Sequence, residues 1–391
     1  MEHTLTLVCK IQPTDDEASH LEATLWAFAD ACAYIHATLP ERIVNVMRMQ
    51  AMLYYDVRAR FGLSSNLTQQ AFRRVAANRK AARASGEAVK TFEPTSVQYD
   101  QRIFSFTECD WSVSLTLLHS RMRFRLHLGN YQRGKLKGQK PTSAQLCKHR
   151  DGSYAVHIQV KVPVPISTPP TDVLGVDLGR TDIAHTSEGQ SWDGSDIRRC
   201  RDRFARLRTA LSRKASKGTR STRRRCRQLL ARLSGCERRF QRHTNHCIAK
   251  TLVETARETN AALALEDLTG IRARTNQESR PKTERRRRNS WAFFQLREFI
   301  TYKAALAGVI LYVIPPAYTS QMCHHCLHLG SRTGKRFVWT NPACGWTGDA
   351  DFNGARNIKI LGLNLSQPRG PWLHSQLQGS QKPHALEAWV A

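Results

Sequence analysis

Two apolar runs that each end in an acidic residue constrain the fold of this chain more than any other feature of its sequence. Residues 173–177 (VLGVD) and 262–266 (ALALE) have the length and composition of buried strands. A third acid, Asp351, lies in the segment 349–353 (DADFN). An isolated buried carboxylate is costly, so acids that meet at one edge of a sheet need cations to offset their repulsion. The pattern therefore predicts three acids that share a cation site.

The chemistry of these acids indicates which cation and which reaction to expect. Mg²⁺ prefers oxygen ligands and keeps several waters for phosphate chemistry. Two such ions roughly 4 Å apart activate a water and stabilise the leaving oxygen of a phosphodiester. We therefore predict a nuclease in which Asp177, Glu266 and Asp351 are catalytic and hold two Mg²⁺ ions. Each acid also has a structural alternative: a turn cap before Gly179, a helix cap for 267–271, or an Asx-turn at Asp351.

The charge of the chain indicates its partner. Its 391 residues include 60 Lys and Arg against 32 Asp and Glu, a net charge of +28. Self-repulsion of this size destabilises a compact state, so a polyanionic partner is expected. We find no apolar run near 20 residues, no signal peptide and no basic amphipathic helix with a long aromatic face. Nucleic acid is therefore a better partner than a membrane.

The front of the chain, up to residue 165, contains no catalytic motif. Residues 4–11 alternate as in a strand, a helical stretch opens at residues 15–17, two more follow at about 41–60 and 67–84, and strands return at about 90–162. The basic residues of the third stretch are interpreted as a solvated helix face. We expect a small β-barrel with a helical insertion, and a domain boundary in the proline-rich linker after residue 162.

Two basic surfaces are predicted to contact phosphates. In one strand, arginines alternate with apolar residues, so one face of its sheet is positive. Residues 197–242 hold 18 Lys or Arg against two acids and form a predicted helical hairpin with its turn near Gly218. Charge this uneven predicts strongly salt-dependent binding. The predicted nucleic-acid contacts are Arg121, Arg123, Arg125, Arg223, Arg224 and Arg225.

The second half alternates strands and helices, which predicts an RNase H-like α/β core with the acids at one sheet edge. The strand that ends at Asp177 is followed by a hairpin near 181–189, and the strand that ends at Glu266 by a helix and a strand at 309–314. The run of arginines at 285–288 predicts a basic loop, and Asn289 or Ser290 the cap of the next helix.

Three cysteines near the end of the chain predict a zinc ribbon. Cys323 and Cys326 form a C-x-x-C pair, and Cys344 follows after a short hairpin pattern. Eleven cysteines, an odd number, favour a reduced intracellular protein over a disulfide framework. A ribbon normally takes four ligands, and a ribbon that binds metal weakly or not at all is the alternative. Trp339 or Asn341 occupies the place where a fourth ligand would fall. His324, His325 or His328 could supply a nitrogen, although none of them sits at the expected position.

Four motifs together resemble the TnpB family, transposon-encoded RNA-guided nucleases related to the compact type V CRISPR effectors. They are residues 175–179 (GVDLG), 265–268 (LEDL), 316–321 (PAYTSQ) and 351–358 (DFNGARNI). The resemblance covers residues 172–361 and is only architectural before residue 165.

The resemblance implies an α+β multidomain protein that contains a RuvC-like nuclease domain. It identifies Asp177, Glu266 and Asp351 as the RuvC acids, while Asp349 departs from the family spacing. It places zinc on Cys323, Cys326 and Cys344, with Trp339 or Asn341 where the family has a further cysteine, and Arg356 either near the scissile phosphate or packed on its helix. The implied domains are a wedge-like barrel (1–14 and 90–165), recognition helices (15–89), a RuvC-like domain (166–316 and 349–362), a zinc ribbon (317–348) and a disordered tail (363–391).

The resemblance also implies partners and a location. These are guide RNA and target double-stranded DNA beside a short adjacent motif, in the cytoplasm of a bacterium or archaeon, associated with the nucleoid; a monomer and a dimer are both compatible. One alternative is a guide-RNA-dependent DNA-binding regulator without cleavage, although such relatives tend to lose one of the acids, and all three are present here. A compact CRISPR effector is a further alternative. A DDE-type transposase or a generic resolvase fits the acid spacing and the long basic front half less well.

Overall fold

The computed structural model describes residues 2–179, 181–269, 293–338 and 340–366. The chain divides into two compact units, one over Glu2–Pro163 and one from Val164 onward. The predicted basic loop 285–288, the helix cap at Asn289 or Ser290, Trp339 and the tail beyond residue 366 lie outside the described residues.

The first unit is one seven-stranded antiparallel sheet with four helices. Its strands lie in the order β2-β6-β7-β1-β5-β4-β3. The strands are β1 (Glu2–Ile11), β2 (Ser96–Asp100), β3 (Phe104–Thr107), β4 (Ser112–Thr116), β5 (Arg121–His127), β6 (Ser143–Lys148) and β7 (Tyr154–Pro163). The helices are α1 (Asp15–Thr38), α2 (Val46–Phe61), α3 (Ser65–Ser85) and α4 (Asn130–Leu136). The first strand of the unit pairs along its whole length with the last one.

Local sequence sets the ends of these helices. Thr14 and Glu17 form a capping box at the start of α1, because each side chain accepts the backbone N–H of the other residue. The second helix begins five residues later than predicted, at Val46, because Asn45 caps it and accepts the N–H of Arg48 at 3.1 Å. It ends at Gly62, whose positive φ of 64° stops the helix.

Arg79 on α3 corrects one prediction. The basic residues of this helix were predicted to be solvated, but Arg79 is only 2% exposed. Its guanidinium donates hydrogen bonds of 2.7 to 2.8 Å to the carbonyls of His36, Leu39, Pro40 and Ile43. It therefore satisfies carbonyls at the C-terminal end of α1 and in the loop that follows, where buried polar groups need partners.

The second unit is an α/β core whose five-stranded sheet has the order β10-β9-β8-β11-β12. Strands β8, β11 and β12 are parallel, and β9 is antiparallel to β8. The strands are β8 (Asp172–Asp177), β9 (Asp182–Thr186), β10 (Ser191–Asp193), β11 (Ala261–Glu266) and β12 (Leu311–Ile314). The helices are α5 (Ser195–Lys217), α6 (Arg220–Leu233), α7 (Cys236–Glu258), α8 (Phe293–Ala307) and α9 (Ala350–Ser366).

Alternate residues of the central strands pack on opposite faces of this sheet. Val173 and Ala264 face α9 and contact a cluster that includes Ile358. Leu174 and Leu265 belong to the cluster of α7 and α8 on the other face. This period of two places helices on both faces, as the alternation of strands and helices predicted. The α+β fold class is thus confirmed.

A second, smaller sheet completes the second unit. A three-stranded sheet of β13 (Ser331–Thr333), β14 (Arg336–Val338) and β15 (Thr347–Asp349) forms the ribbon. Helix α9 runs to Ser366, so the prediction of disorder from residue 363 was wrong for the helical residues 363–366. No helix in the described part of the chain is long and apolar enough to cross a membrane.

The basic region 197–242 is not one hairpin. The turn near Gly218 is confirmed, but a second break falls at Gly235, which has a φ of 76°. A glycine in this left-handed conformation ends α6 and starts α7. The exposed basic residues therefore lie on α5, on α6 and on the first turns of α7.

Candidate active site and zinc ribbon

Two of the predicted acids end neighbouring parallel strands. Asp177 is the last residue of β8, and Glu266 is the last residue of β11. Val176 pairs with Leu265, so both acids leave the sheet at the same edge. Parallel strands share their carboxyl ends, which explains why two apolar runs far apart in sequence deliver their acids to one place.

The third acid comes from the first turn of α9. Asp349 caps this helix, because its Oδ1 accepts the N–H groups of Asp351 at 2.8 Å and Phe352 at 3.0 Å. Asp351 itself is 6% exposed and lines the same depression as the other two acids. The Asx-turn alternative for Asp351 is thus replaced by a cap on Asp349.

Glycines allow α9 to lie directly on the strand that carries Asp177. A Cβ added at Gly354 would lie 3.1 Å from Asp177 Oδ2. A Cβ at Gly175 would lie 2.2 Å from the carbonyl oxygen of Ala355, and one at Gly362 would lie 2.7 Å from Val173 Cγ1. Any larger side chain would push the helix, and Asp351 with it, away from the sheet.

The three acids line one depression of about 510 Å³. Polar and cationic side chains, backbone turns and a few apolar residues complete its wall. The other lining residues are Leu178, Gly179, Thr181, Leu268, Pro316, Thr319, Ser320, Arg332, Gly334 and Lys335. Three carboxylates and two cations, Arg332 and Lys335, thus line one site, which can attract both a metal ion and an anion.

Side chains around the depression fix two of the acids. Thr319 donates a hydrogen bond to Glu266 Oε1, and Arg332 donates one to Asp351 Oδ1 at 2.8 Å. Lys335 Nζ contacts both oxygens of the buried Asp182, at 2.8 and 2.7 Å. Arg332 and Lys335 flank the turn between β13 and β14, so the ribbon hairpin brings two cations to the acids.

The environment raises the pKa of two of the carboxyl groups. Burial raises the pKa of Asp177 well above its usual value, and the negative charges of Glu266 and Asp351 raise it further, while Arg332 opposes them. Burial also raises the pKa of Glu266, against the lowering effects of the Thr319 hydrogen bond and of Arg332. The protein thus holds carboxylates that repel one another, and a cation would relieve that repulsion.

The three acids are less tightly grouped than the cysteines of the ribbon. In the described ranges, one set of three His, Cys or carboxylate ligands has all its ligand atoms within 4.8 Å, and that set is Cys323, Cys326 and Cys344. The three carboxylates line one depression without meeting this criterion. Their donors are all oxygens, which are the ligands that hard divalent cations prefer.

Two buried asparagines of α9 hold the loop that carries Thr319. Asn357 Nδ2 donates to the carbonyls of Thr319 at 2.8 Å and Met322 at 2.6 Å. Asn353 Nδ2 donates to Met322 at 2.7 Å, and its Oδ1 accepts the N–H of His324 at 2.9 Å. The helix that carries Asp351 therefore also sets the position of the residue that contacts Glu266.

The ribbon brings its three cysteines together as predicted. Their sulfurs lie within 4.8 Å of one another, and Cys323 and Cys344 are 3.9 Å apart. Zinc–sulfur bonds of about 2.3 Å in a tetrahedron place sulfurs about 3.8 Å apart, so the cluster fits a zinc ion. Burial raises the pKa of the Cys326 thiol to about 11, so metal binding must displace its proton.

Six of the seven predicted nucleic-acid residues lie on two exposed surfaces. Arg121, Arg123 and Arg125 are exposed on β5, while Phe124 and Leu126 of the same strand are buried. The triplet Arg223, Arg224 and Arg225 is exposed on α6. Arg356 lies over the Phe352 ring with 5.8 Å between the guanidinium carbon and the ring centroid, and it is not among the residues that line the depression.

Sequence reasoning missed Thr319, Arg332 and Lys335 as members of the site. Thr319 lies in the motif 316–321, so its neighbourhood was marked although its contact was not. Arg332 and Lys335 stand on either side of Thr333 and Gly334 at a hairpin turn, where two cations three residues apart are the available signal.

Comparison with known proteins places both halves of the site in known modules. Residues 157–272 match the OrfB_IS605 family, described as a probable transposase, and residues 293–358 match the Cas12f1-like TNB domain. The first match contains Asp177 and Glu266, and the second contains Asp351 and the three cysteines.

Curated relatives and a solved structure agree with these modules. The CRISPR-associated endodeoxyribonuclease Cas12f1 of Sulfoacidibacillus thermotolerans is 28% identical over 244 residues, which are 59% of this chain and 56% of that protein. A TnpB-like protein of Methanocaldococcus jannaschii is 31% identical over 175 residues, 45% of this chain and 60% of that protein. The chain thus spans little more than half the length of these relatives.

The cryo-EM structure of a Cas12f1–sgRNA–target DNA complex shares the fold. It has a TM-score of 0.61 at 13% identity and covers 89% of this chain and 83% of that one. The family matches and the curated relatives confirm the resemblance predicted from the four motifs, because over these residues the chain is similar to TnpB-like proteins and to Cas12f effectors.

Proposed function

We propose that this protein is an RNA-guided DNA endonuclease of the TnpB type, which cuts target DNA beside a short adjacent motif. The observation that carries the proposal is the convergence of Asp177, Glu266 and Asp351, from three separate segments, on one depression that also holds Arg332. The relatives named as endonucleases and TnpB-like proteins support the same reaction.

The acids would hold two Mg²⁺ ions, which when bound supply a nucleophilic hydroxide and stabilise the leaving oxygen. Burial and the charges of Glu266 and Asp351 raise the pKa of Asp177, so a bound cation would stabilise its ionised form. Thr319 orients Glu266, and the helix cap at Asp349 fixes the start of the helix that presents Asp351. Arg332 can exchange its contact with Asp351 for a phosphate oxygen, because guanidinium binds both anions with the same donors.

The proposed partners are a guide RNA and double-stranded target DNA. The guide would select the target by base pairing, so the protein needs contacts to backbones and not a side-chain code for sequence. The exposed arginines of β5 and α6 are proposed to contact phosphates, and Arg356 to approach the scissile strand. The excess of positive charge on α5 and α6 suits a channel for a heteroduplex or a displaced strand.

We keep the predicted domain layout as part of the proposal. The sheet of the first unit would be the wedge barrel, and α1, α2 and α3 the recognition insertion. The ribbon would bind zinc through Cys323, Cys326 and Cys344 and contact the target strand. Such a protein would act in the cytoplasm of a bacterial or archaeal cell, at its DNA, and would serve transposition or a CRISPR locus.

The test combines RNA sequencing with a cleavage assay. RNA that co-purifies with the protein is sequenced, and a plasmid that matches its guide segment is incubated with the complex and Mg²⁺. We expect Asp177→Ala to abolish cutting while RNA binding stays near wild type. The matched control is Asp196→Ala, which removes an exposed acid of α5 outside the depression and should leave cutting unchanged.

Two results would contradict the proposal in different ways. If the wild type binds its RNA and target DNA but never cuts, the protein is a guide-RNA-dependent DNA-binding regulator. If Asp177→Ala loses RNA binding together with cutting, Asp177 has a structural role and the three acids are not a metal site.

A further inference from the structure

The ribbon has three thiol ligands where a closed structural zinc site takes four. The structure sorts the candidates for the fourth position by what each of them already contacts. This matters because a ligand must turn a lone pair toward the three sulfurs, and a side chain that is committed elsewhere cannot do so without breaking another contact.

Asn341 is committed to its own turn. Its Oδ1 accepts the N–H of Ala343 at 3.1 Å, and its carbonyl oxygen accepts the N–H of Cys344 at 3.1 Å. Gly345, with a φ of 68°, completes this turn. The asparagine thus holds the second knuckle by an Asx-turn, and the knuckle keeps its shape without a second thiolate.

Two of the three histidines also have contacts that hold them. His324 Nδ1 lies 2.9 Å from Asn353 Oδ1, and its ring meets Trp346 edge-on with centroids 4.5 Å apart. His328 Nδ1 lies 2.9 Å from the carbonyl oxygen of Cys326, which leaves Nε2 as its free ligand atom. Neither ring makes a contact with a cluster sulfur in the part of the chain that the structure describes.

His325 does make such a contact. Its Nδ1 lies 3.6 Å from Cys344 Sγ. In a tetrahedral site with bonds of about 2.0 Å to nitrogen and 2.3 Å to sulfur, these atoms would stand about 3.5 Å apart. The ring is exposed and lies outside the set of atoms mutually within 4.8 Å, so its side chain must turn toward Cys323 and Cys326 to complete the site.

We propose that His325 is the fourth zinc ligand and that the ribbon of this chain is a Cys₃His site. The inference rests on the proposed zinc site of the ribbon and names the residue that closes it. The imidazole would enter from the first knuckle, between Cys323 and Cys326 in sequence, and would take the place that a second cysteine of the other knuckle would otherwise fill.

The test uses the full-length protein, stripped with a chelator and reloaded with Zn²⁺ or Co²⁺. Zinc affinity is measured by chelator competition, and the ligand set is read from the Co²⁺ absorption spectrum. Loss of a residue that merely orients a ligand costs about 10–100-fold in metal affinity, so His325→Ala should cost at least about tenfold. The spectrum should change with it, and His325→Cys should restore affinity with stronger sulfur-to-metal charge transfer. The matched control is His328→Ala, which should keep wild-type affinity and spectrum.

The outcomes distinguish a failure of the proposed zinc site from a failure of His325 as its fourth ligand. If the wild type takes up no zinc while Cys344→Ser behaves the same, the zinc site itself is refuted. If the wild type binds zinc and His325→Ala retains its affinity and spectrum, the site is real but His325 is not its ligand. A loss in His328→Ala in place of His325→Ala would assign the ligand to His328.

Discussion

Gly175→Ala, which adds a single methyl group, should show how far cleavage depends on the position of α9, apart from the stability of the fold. This glycine lies in β8, where α9 approaches the strand most closely. The added Cβ would stand 2.2 Å from the carbonyl oxygen of Ala355, 2.5 Å from the backbone nitrogen and 2.9 Å from the Cα of Lys359. All three are backbone atoms, so no side-chain rotation relieves the contact, and α9 must retreat by roughly 1 Å.

The size of the expected effect follows from that displacement. Overpacking of a core costs about 1–3 kcal/mol, which should appear as a lower free energy of unfolding in urea. The helix carries Asp351 and, through Asn353 and Asn357, the loop of Thr319. Because a misplacement of about 1 Å can cost about 10²-fold in rate, Gly175→Ala should cut its target about a hundredfold more slowly while it still binds RNA.

The matched control is Gly134→Ala in α4 of the first unit. A Cβ there meets no atom within 4 Å, and alanine favours a helix over glycine by up to about 1 kcal/mol. The control should therefore cleave like the wild type and be equally or slightly more stable. The reasoning is refuted if Gly175→Ala cuts at the wild-type rate, or if both glycine variants lose activity equally.

Three further predictions test the charges of the second unit. Lys335→Met should lower the free energy of unfolding by about 1–3 kcal/mol, because it leaves the buried Asp182 without its partner while the half-exposed lysine limits the loss; a change below the error of urea titration would contradict this. Asp177→Asn should raise the melting temperature of the metal-free protein at neutral pH, since the raised pKa of Asp177 means that its ionised form weakens the fold above that pKa. The gain should vanish as the pH falls toward the usual pKa of aspartate, and a gain that grows on acidification would oppose the argument. The third prediction concerns three arginines of α6 that are replaced by alanine together. The slope of log affinity for non-specific DNA against log salt should become less steep by up to about 0.9 for each phosphate that is no longer neutralised. An unchanged slope would exclude DNA binding at this helix. The three are Arg223, Arg224 and Arg225.

The periodicity of the sequence was enough to predict those elements whose structure is set by local rules. The apolar runs before Asp177 and Glu266 are strands of a parallel sheet because such strands are covered on both faces and need no polar alternation. Their common edge follows from the parallel direction. The capping box at Thr14 set the start of α1 in the same local way. The identity of the acids as metal ligands stays a prediction, although their convergence on one depression is a feature of the fold.

Most of the features that were not predicted from the sequence depend on contacts between distant segments. Lys335 meets Asp182 across more than 150 residues, and no periodicity tells which loop will cover a site. Arg79 resembles its solvated neighbours in sequence, yet its burial follows from the place where α1 ends. The break at Gly235 was missed because basic residues continue on both sides of it, and a charge pattern does not show a positive φ.

No loop residue separates the ribbon from helix α9. Asp349 closes β15 and Ala350 opens α9, and the N–H of Ala350 bonds the carbonyl oxygen of Lys335 at 2.7 Å. A tilt of the ribbon therefore also moves the start of α9. The carboxylate of Asp351, one residue after Ala350, must move with it. A partner that binds the ribbon would therefore also influence the position of Asp351 in the acidic depression.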